Sequence, residues 1–242
     1  MHLKVVLGTA VLSGLLCANL SAAPITQFST VNLSGVVTVS ITGTTQNILW
    51  FSDVAPNTAQ MVTTSGGTGD FVGTAGQNFI ANLNSAQQPA STPAPPFVPI
   101  TELNFAATKA SLPQLIITFL NDGVDGAAGC SATPPAPGQI CTPALPPPGS
   151  PFNFQNLPNG GSSVSLTMSG VTSDGSATWT GFFTAQFPVP FQTILTNFAS
   201  GGSITNTYSA TITATPIPEA GTMSLLGLGL IGVSMRLRRR KI

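Results

Sequence analysis

Through most of this chain an apolar residue recurs at every second position, and that spacing limits what the chain can fold into. Val31, Leu33, Val37, Val39 and Ile41 alternate with small or polar residues, and so do Ile204, Tyr208, Ala210 and Ile212. A strand turns successive side chains to opposite faces, so this period builds sheets with one buried and one solvated side. The clearest pair lies between these two stretches. Val164, Leu166 and Met168 share one face, and Trp179, Gly181, Phe183, Ala185 and Phe187 share a face of the following strand. Ser173, Asp174 and Gly175 between them have the chemistry of a turn, which predicts a hairpin. Residues 47–51 and 115–120 are short continuous apolar runs, as expected of central strands. Residues 191–199 read as another strand, joined to 204–214 across Gly201 and Gly202, and residues 81–88 offer at most a turn of helix. The pattern predicts an all-β fold, an antiparallel β-sandwich of about 8–10 strands. A β-solenoid would need a repeat of fixed period, and none is present.

Two proline-rich stretches, 89–99 and 134–151, are expected as surface loops within that domain, because proline cannot donate to a sheet ladder. Cys130 and Cys141 bracket part of the second. In an exported chain such a pair is expected as a disulfide, and closing a loop of about 12 residues is worth roughly 3 kcal/mol in the chain-entropy model.

Both ends point to export. Lys4, the apolar run 5–16 and the small residues Ser21, Ala22 and Ala23 have the layout of a secretory signal peptide, 1–23, forming a helix that is removed by signal peptidase after Ala23. The body is then 24–215, leaving 216–242 as a tail with three parts. A proline-bounded motif comes first, 216–220, with Pro218, Glu219 and Ala220 at its centre. An uncharged run follows over 221–235, containing Gly221, Leu225, Leu226, Leu228, Leu230, Ile231 and Val233. At about 1.5 Å per residue it gives roughly 21–24 Å of helix, a short membrane span. Last is a basic end, 236–241, with Arg236, Arg238, Arg239, Arg240 and Lys241, which is held on the cytoplasmic side and leaves the body outside.

At these residues the chain resembles the PEP-CTERM sorting-signal proteins, with Pro218-Glu219-Ala220 where that family has Pro-Glu-Pro. The resemblance covers the tail alone. It implies recognition and cleavage near the motif by exosortase, a membrane-embedded cysteine protease or transpeptidase. It also implies transient anchoring in the inner membrane, then residence in the cell envelope, at the outer surface or in an extracellular matrix, in the company of exopolysaccharide.

The formal net charge of zero hides an asymmetry. Lys4 and five tail residues account for six of the seven cations, so Lys109 faces Asp53, Asp70, Glu102, Asp122, Asp125 and Asp174 in a body near −5. A nucleic-acid partner is disfavoured, because no basic patch meets phosphates. The single histidine, His2, lies in the leader, which excludes His-dependent triads and His metal sites from the body. No cofactor is expected. The glycine-rich residues 65–69 lack the lysine and helix of a phosphate loop. In 121–126, Asp122 and Asp125 stand at the short spacing of a Ca²⁺ loop but without its far acidic ligand, and a plain turn is the stronger reading. The expected role is non-enzymatic, a structural or adhesive surface protein. A carbohydrate-binding or ice-binding module, using Thr211, Thr213 and Thr215, is the alternative, and a carboxylate-type glycoside hydrolase is a remote one.

Overall fold

The computed structural model describes residues 23–42, 45–84, 100–144 and 150–218. Residues 1–22 of the leader, the proline-rich loop 89–99 and the tail beyond Pro218 lie outside them. Among the described residues twelve strands form: β1 (Ser29–Thr42), β2 (Thr45–Phe51), β3 (Met61–Ser65), β4 (Gly76–Ile80), β5 (Leu83–Asn84), β6 (Ile100–Asn104), β7 (Leu115–Leu120), β8 (Ile140–Cys141), β9 (Asn153–Asn156), β10 (Ser162–Thr172), β11 (Ala177–Phe187) and β12 (Ser203–Pro216). The α-helices among the described residues, α1 (Ala106–Lys109) and α2 (Phe191–Ala199), are short. The chain is all-β and antiparallel, as the alternation predicts.

The strands do not divide into the two sheets of a sandwich. All twelve belong to one sheet. Taken in chain order, β1, β3, β4, β6, β7, β10, β11 and β12 each pair with the next, and β12 returns to β1. That is an eight-stranded up-and-down ring, a size at which inward side chains fill the interior or enclose one small ligand. Alternation with one buried face is common to a sandwich and a barrel. What separates them is β12, which pairs Ser203 to Ala214 with β1 on one edge and Tyr208 to Pro216 with β11 on the other.

The ring is complete at one end and split at the other. The first part of β1, Asn32 to Ser34, pairs with β3, while Val36 to Thr42 pair with β2 instead. In the same way β10 gives Met168 to Thr172 to β7 and Ser162 to Ser165 to β9. Two flaps result, β2 with β5 and β9 with β8, and both stand off the ring. The run 47–51, expected as a central strand, is therefore a flap strand, although Ile48 and Trp50 are fully buried.

Helix α2 lies where a strand was expected. Phe191, Ile194, Leu195 and Phe198 fall at i, i+3, i+4 and i+7, which is a helical period, and Pro190 suits the entry because it has no N–H to leave unpaired. Phe191 and Ile194 are buried, and Leu195 and Phe198 pack on the same core from the edge. The helix ends where the Gly202 N–H donates to the Asn197 carbonyl (2.9 Å). Because α2 joins the end of β11 to the start of β12, it covers the split end of the ring.

The hairpin from β10 to β11 forms as expected. The Asp174 carboxylate accepts from the Ser176 N–H (3.0 Å) and hydroxyl (2.8 Å), and Gly175 has φ +72°. The second proline-rich stretch is less open than the sequence suggests, since it contains β8 and the fully buried Cys141.

Candidate functional site

The motif begins directly against the barrel. Pro216, the last residue of β12, pairs with Ala177, and the Ile217 N–H donates to the Ser176 carbonyl (2.8 Å). Pro218 follows as the last described residue. Glu219, Ala220, the apolar run from Gly221 and the basic end at 236–241 lie outside the described residues. Among the described residues no helix is long and apolar enough to cross a membrane. At the other end of the body, Ile25 is buried, and the Thr26 and Gln27 N–H groups donate to the Asp70 carboxylate (2.7 and 3.2 Å).

The outer face of β10, β11, β12 and β1 is a field of hydroxyls. Across the register, Ser169, Thr180, Thr213 and Thr30 form one row. Thr167, Phe182, Thr211 and Asn32 form the next, and Ser165, Thr184, Ser209 and Ser34 a third. Neighbours are bonded across strands, with Thr211 donating to Asn32 (3.0 Å) and the Thr184 and Ser209 hydroxyls 3.2 Å apart. Phe182 stands in the middle row, 51% exposed. Thr211 and Thr213, singled out from the sequence, lie on this face with Thr215 beside them.

The carboxylates are dispersed. Asp53 accepts from the Ser34 hydroxyl (2.6 Å) and from the Thr63 hydroxyl, and these two bonds hold it below the usual carboxyl range. For Asp70 and Asp174 the largest single influence is burial, which raises the pKa. It is outweighed at Asp70 by the Thr26 and Gln27 donors and at Asp174 by Thr172 and Ser176, so both are lowered. Lys109, the single cation of the body, donates its ammonium to the Asp70 and Val72 carbonyls (2.7 and 3.0 Å). Its role here is to close a loop.

The loop holding Asp122 and Asp125 is pinned by its backbone. The Gly123 N–H donates to the Ser150 carbonyl (2.9 Å), Val124 N–H to Asn153 Oδ1 (2.7 Å) and Asp125 N–H to the Thr142 hydroxyl (3.0 Å). Among the described residues no three His, Cys, Asp or Glu side chains come together as a metal site. The disulfide between Cys130 and Cys141 is formed, with Cα atoms 5.0 Å apart. Its loop is fastened to the barrel by amides. Asn156 donates to Gln139 (3.1 Å) and to Gln192 on α2 (3.0 Å), and it accepts from the Phe191 N–H (3.0 Å).

At the split end the barrel contains space that sequence reading did not anticipate. A cavity of about 50 Å³ lies among β1, β2, β10, β11 and β12, with Trp50, Phe183 and Tyr208 in its wall. These three rings form a cluster, with centroids 4.8 Å apart for Trp50 and Tyr208 and 5.3 Å for Trp50 and Phe183. A second cavity of about 30 Å³, lined also by Ile194 and Phe198 of α2, shares Val37, Val39, Phe152, Val164 and Phe187 with the first. The inward alternation of β1 and β11 was the available signal, but which strands face one another is not written in it.

An all-β body that passes within one residue into a Pro-Glu motif, an apolar run and a basic end has the layout of an exported, tail-sorted protein. Residues 216–240 match the family model of the PEP-CTERM protein-sorting motif, about a tenth of the chain. The chain thus carries a PEP-CTERM tail, which implies processing by an exosortase and export to the cell envelope or surface. No curated protein and no solved structure matches the chain.

Proposed function

We propose that this is a non-catalytic structural or adhesive protein of the bacterial surface or extracellular matrix, held briefly in the inner membrane by its tail and released when exosortase cuts near Pro218-Glu219-Ala220. The observation that carries this reading is the sorting motif at 216–240. The body suits such a role. A closed ring leaves its eight strands without free edges to pair with other chains, and the hydroxyl face around Thr211 presents hydrogen-bonding groups, with the Asp53 carboxylate bonded to Ser34 at its edge. A glycosidase needs an acid whose pKa is raised. Asp53, Asp70 and Asp174 are each lowered by the donors that hold them, so none of these three is such an acid. Export by signal peptidase and association with exopolysaccharide belong to the same reading.

Carbohydrate binding is the second reading, favoured by Phe182, whose exposed ring among Thr167, Thr211 and Asn32 offers a sugar a stacking surface with hydroxyls around it. Removal of 219–242 tests the main proposal. Sorting through the tail requires that the shortened protein change its cell fraction and lose the cleavage seen in the full chain. Unaltered location and processing would refute it.

A further inference from the structure

We infer that the complete end of the barrel, the end away from α2, is a membrane-seating surface. While the tail is uncut, this end lies on the headgroups of the bilayer, and Phe28 and Val72 enter them. The inference rests on the reading that the tail is held in the inner membrane.

Both ends of the body are fastened at one residue of the turn between β10 and β11. The Ile25 N–H donates to the Ser176 hydroxyl oxygen (3.0 Å), and the Ile217 N–H donates to the Ser176 carbonyl (2.8 Å). The leader thus joins, and the tail leaves, at the same end of the barrel. Gly221, where the apolar run begins, is three residues beyond Pro218. A chain of that length reaches at most about 10 Å. As a helix of about 22 Å, the run 221–235 is already shorter than the roughly 30 Å hydrocarbon core, so none of it is spare to lengthen the tether. The headgroup layer is itself about 5–8 Å thick. An inserted tail therefore draws this end of the barrel against the bilayer surface.

The surface drawn there carries exposed apolar side chains. Phe28, just before β1, is 62% exposed, and Val72, in the loop between β3 and β4, is 60% exposed. Ile217, beside the tail, is exposed as well. The loop of Val72 is tied to the start of β1, because the Asp70 N–H donates to Ser29 Oγ (2.8 Å) and the Asp70 carboxylate accepts from the Thr26 and Gln27 N–H groups. Lys109 fixes the same loop by donating to the Val72 carbonyl. Apolar groups held at the depth of the headgroups are what an interfacial anchor uses. Val124 is more exposed still, but it follows β7 at the split end, where no tether brings it to the bilayer. The complete end sets Asp70 and Asp174 against Lys109, so it suits zwitterionic headgroups better than anionic ones.

The test uses the exported, uncut chain from residue 24, in which Cys130 and Cys141 are joined and an introduced cysteine is the one free thiol. Phe28→Cys, Val72→Cys and, as the control, Val124→Cys are each labelled with nitrobenzoxadiazole and reconstituted with phosphatidylcholine vesicles that carry a nitroxide on the headgroup. Flotation shows first whether the chain is in the vesicles. A chain that stays behind refutes the tail anchoring, and this inference with it. In a chain that floats, the labels at 28 and 72 should shift to the blue and lose at least half of their emission, while the label at 124 stays unquenched. A Gly/Ser spacer of about 12 residues after Pro218 frees the barrel from the short tether. Quenching at 72 should persist with the spacer and weaken when Phe28→Ser is added. Equal emission at all three positions, quenching that the spacer alone abolishes or that Phe28→Ser leaves unchanged, or quenching that appears only when exosortase shares the vesicles overturns the seating surface and leaves the tail anchoring standing.

Discussion

Gly170 shows how much of this fold rests on a missing side chain. A Cβ there would lie 1.8 Å from the Ile116 carbonyl oxygen and 2.7 Å from Trp179 Nε1. The gap lets the buried Trp179 indole reach across β10 and donate to the Ile116 carbonyl (3.0 Å), at the place where the pairing of β10 with β7 shifts register. Gly170→Ala forces the strands apart and leaves the indole N–H unpaired, at a combined cost of roughly 2–4 kcal/mol. For a body of this size that lowers Tm by about 5–12 °C, measurable by thermal unfolding. The carboxylates make a second prediction. Asp53, Asp70 and Asp174 have lower pKa values in the fold than in the unfolded chain, so each stabilises while ionised. That stability is complete above the unfolded carboxyl value of about 3.9 and is lost as pH falls through the lower folded value. With no histidine in 24–218, Tm should be flat between about pH 5 and 8 and fall below about pH 4. A loss of stability centred near pH 6.5 would contradict this.

Elements were legible where one local pattern decided them and obscure where two patterns overlapped. The hairpin from β10 to β11 was plain because alternation and turn chemistry agree on Ser173, Asp174 and Gly175. In 191–199 a helical period lay beneath β-favouring residues, Phe191, Thr193, Ile194 and Phe198. The helix prevails because Phe191 and Ile194 are buried together on one side, against the end of the ring. Packing of that kind is invisible until the strands are placed. The disulfide was legible from its spacing, but its setting was not. Asn156 and the Gln139 and Gln192 amides bind the loop to α2, so the bridge supports the cover of the barrel as well as its own loop. Cys130→Ser with Cys141→Ser should therefore lower stability by about 3 kcal/mol, read by urea unfolding. Hydrogen exchange should rise first in α2 and β8. Uniform exchange across the chain would mean that the loop is not coupled to the helix.

At the scale of the whole molecule, closure is a property of the ends. The alternation that marks each strand holds equally for a sandwich and for a ring, so the sequence could reveal the class but not the ring. β12 decides it, because it joins β11 to β1 and is the last strand before the sorting motif. The fold therefore finishes only when the chain is made almost to its tail. The cut proposed near Glu219 leaves that strand whole, since Pro216 is still paired with Ala177 and Ile217 with Ser176. Two truncations separate these roles. Ending the chain at Pro218 removes sorting and keeps the ring, so the protein should unfold at the same temperature as the processed one while appearing in a different cell fraction. Ending it at Gly202 removes β12 and exposes the edges of β1 and β11 along most of their length, which are templates for pairing with other chains. That product should aggregate or be degraded before any question of location arises. A cooperative transition in the shorter product, at the temperature of the longer one, would show that β12 does not close the barrel. If both products were sorted like the full chain, delivery would have to reside upstream of residue 203.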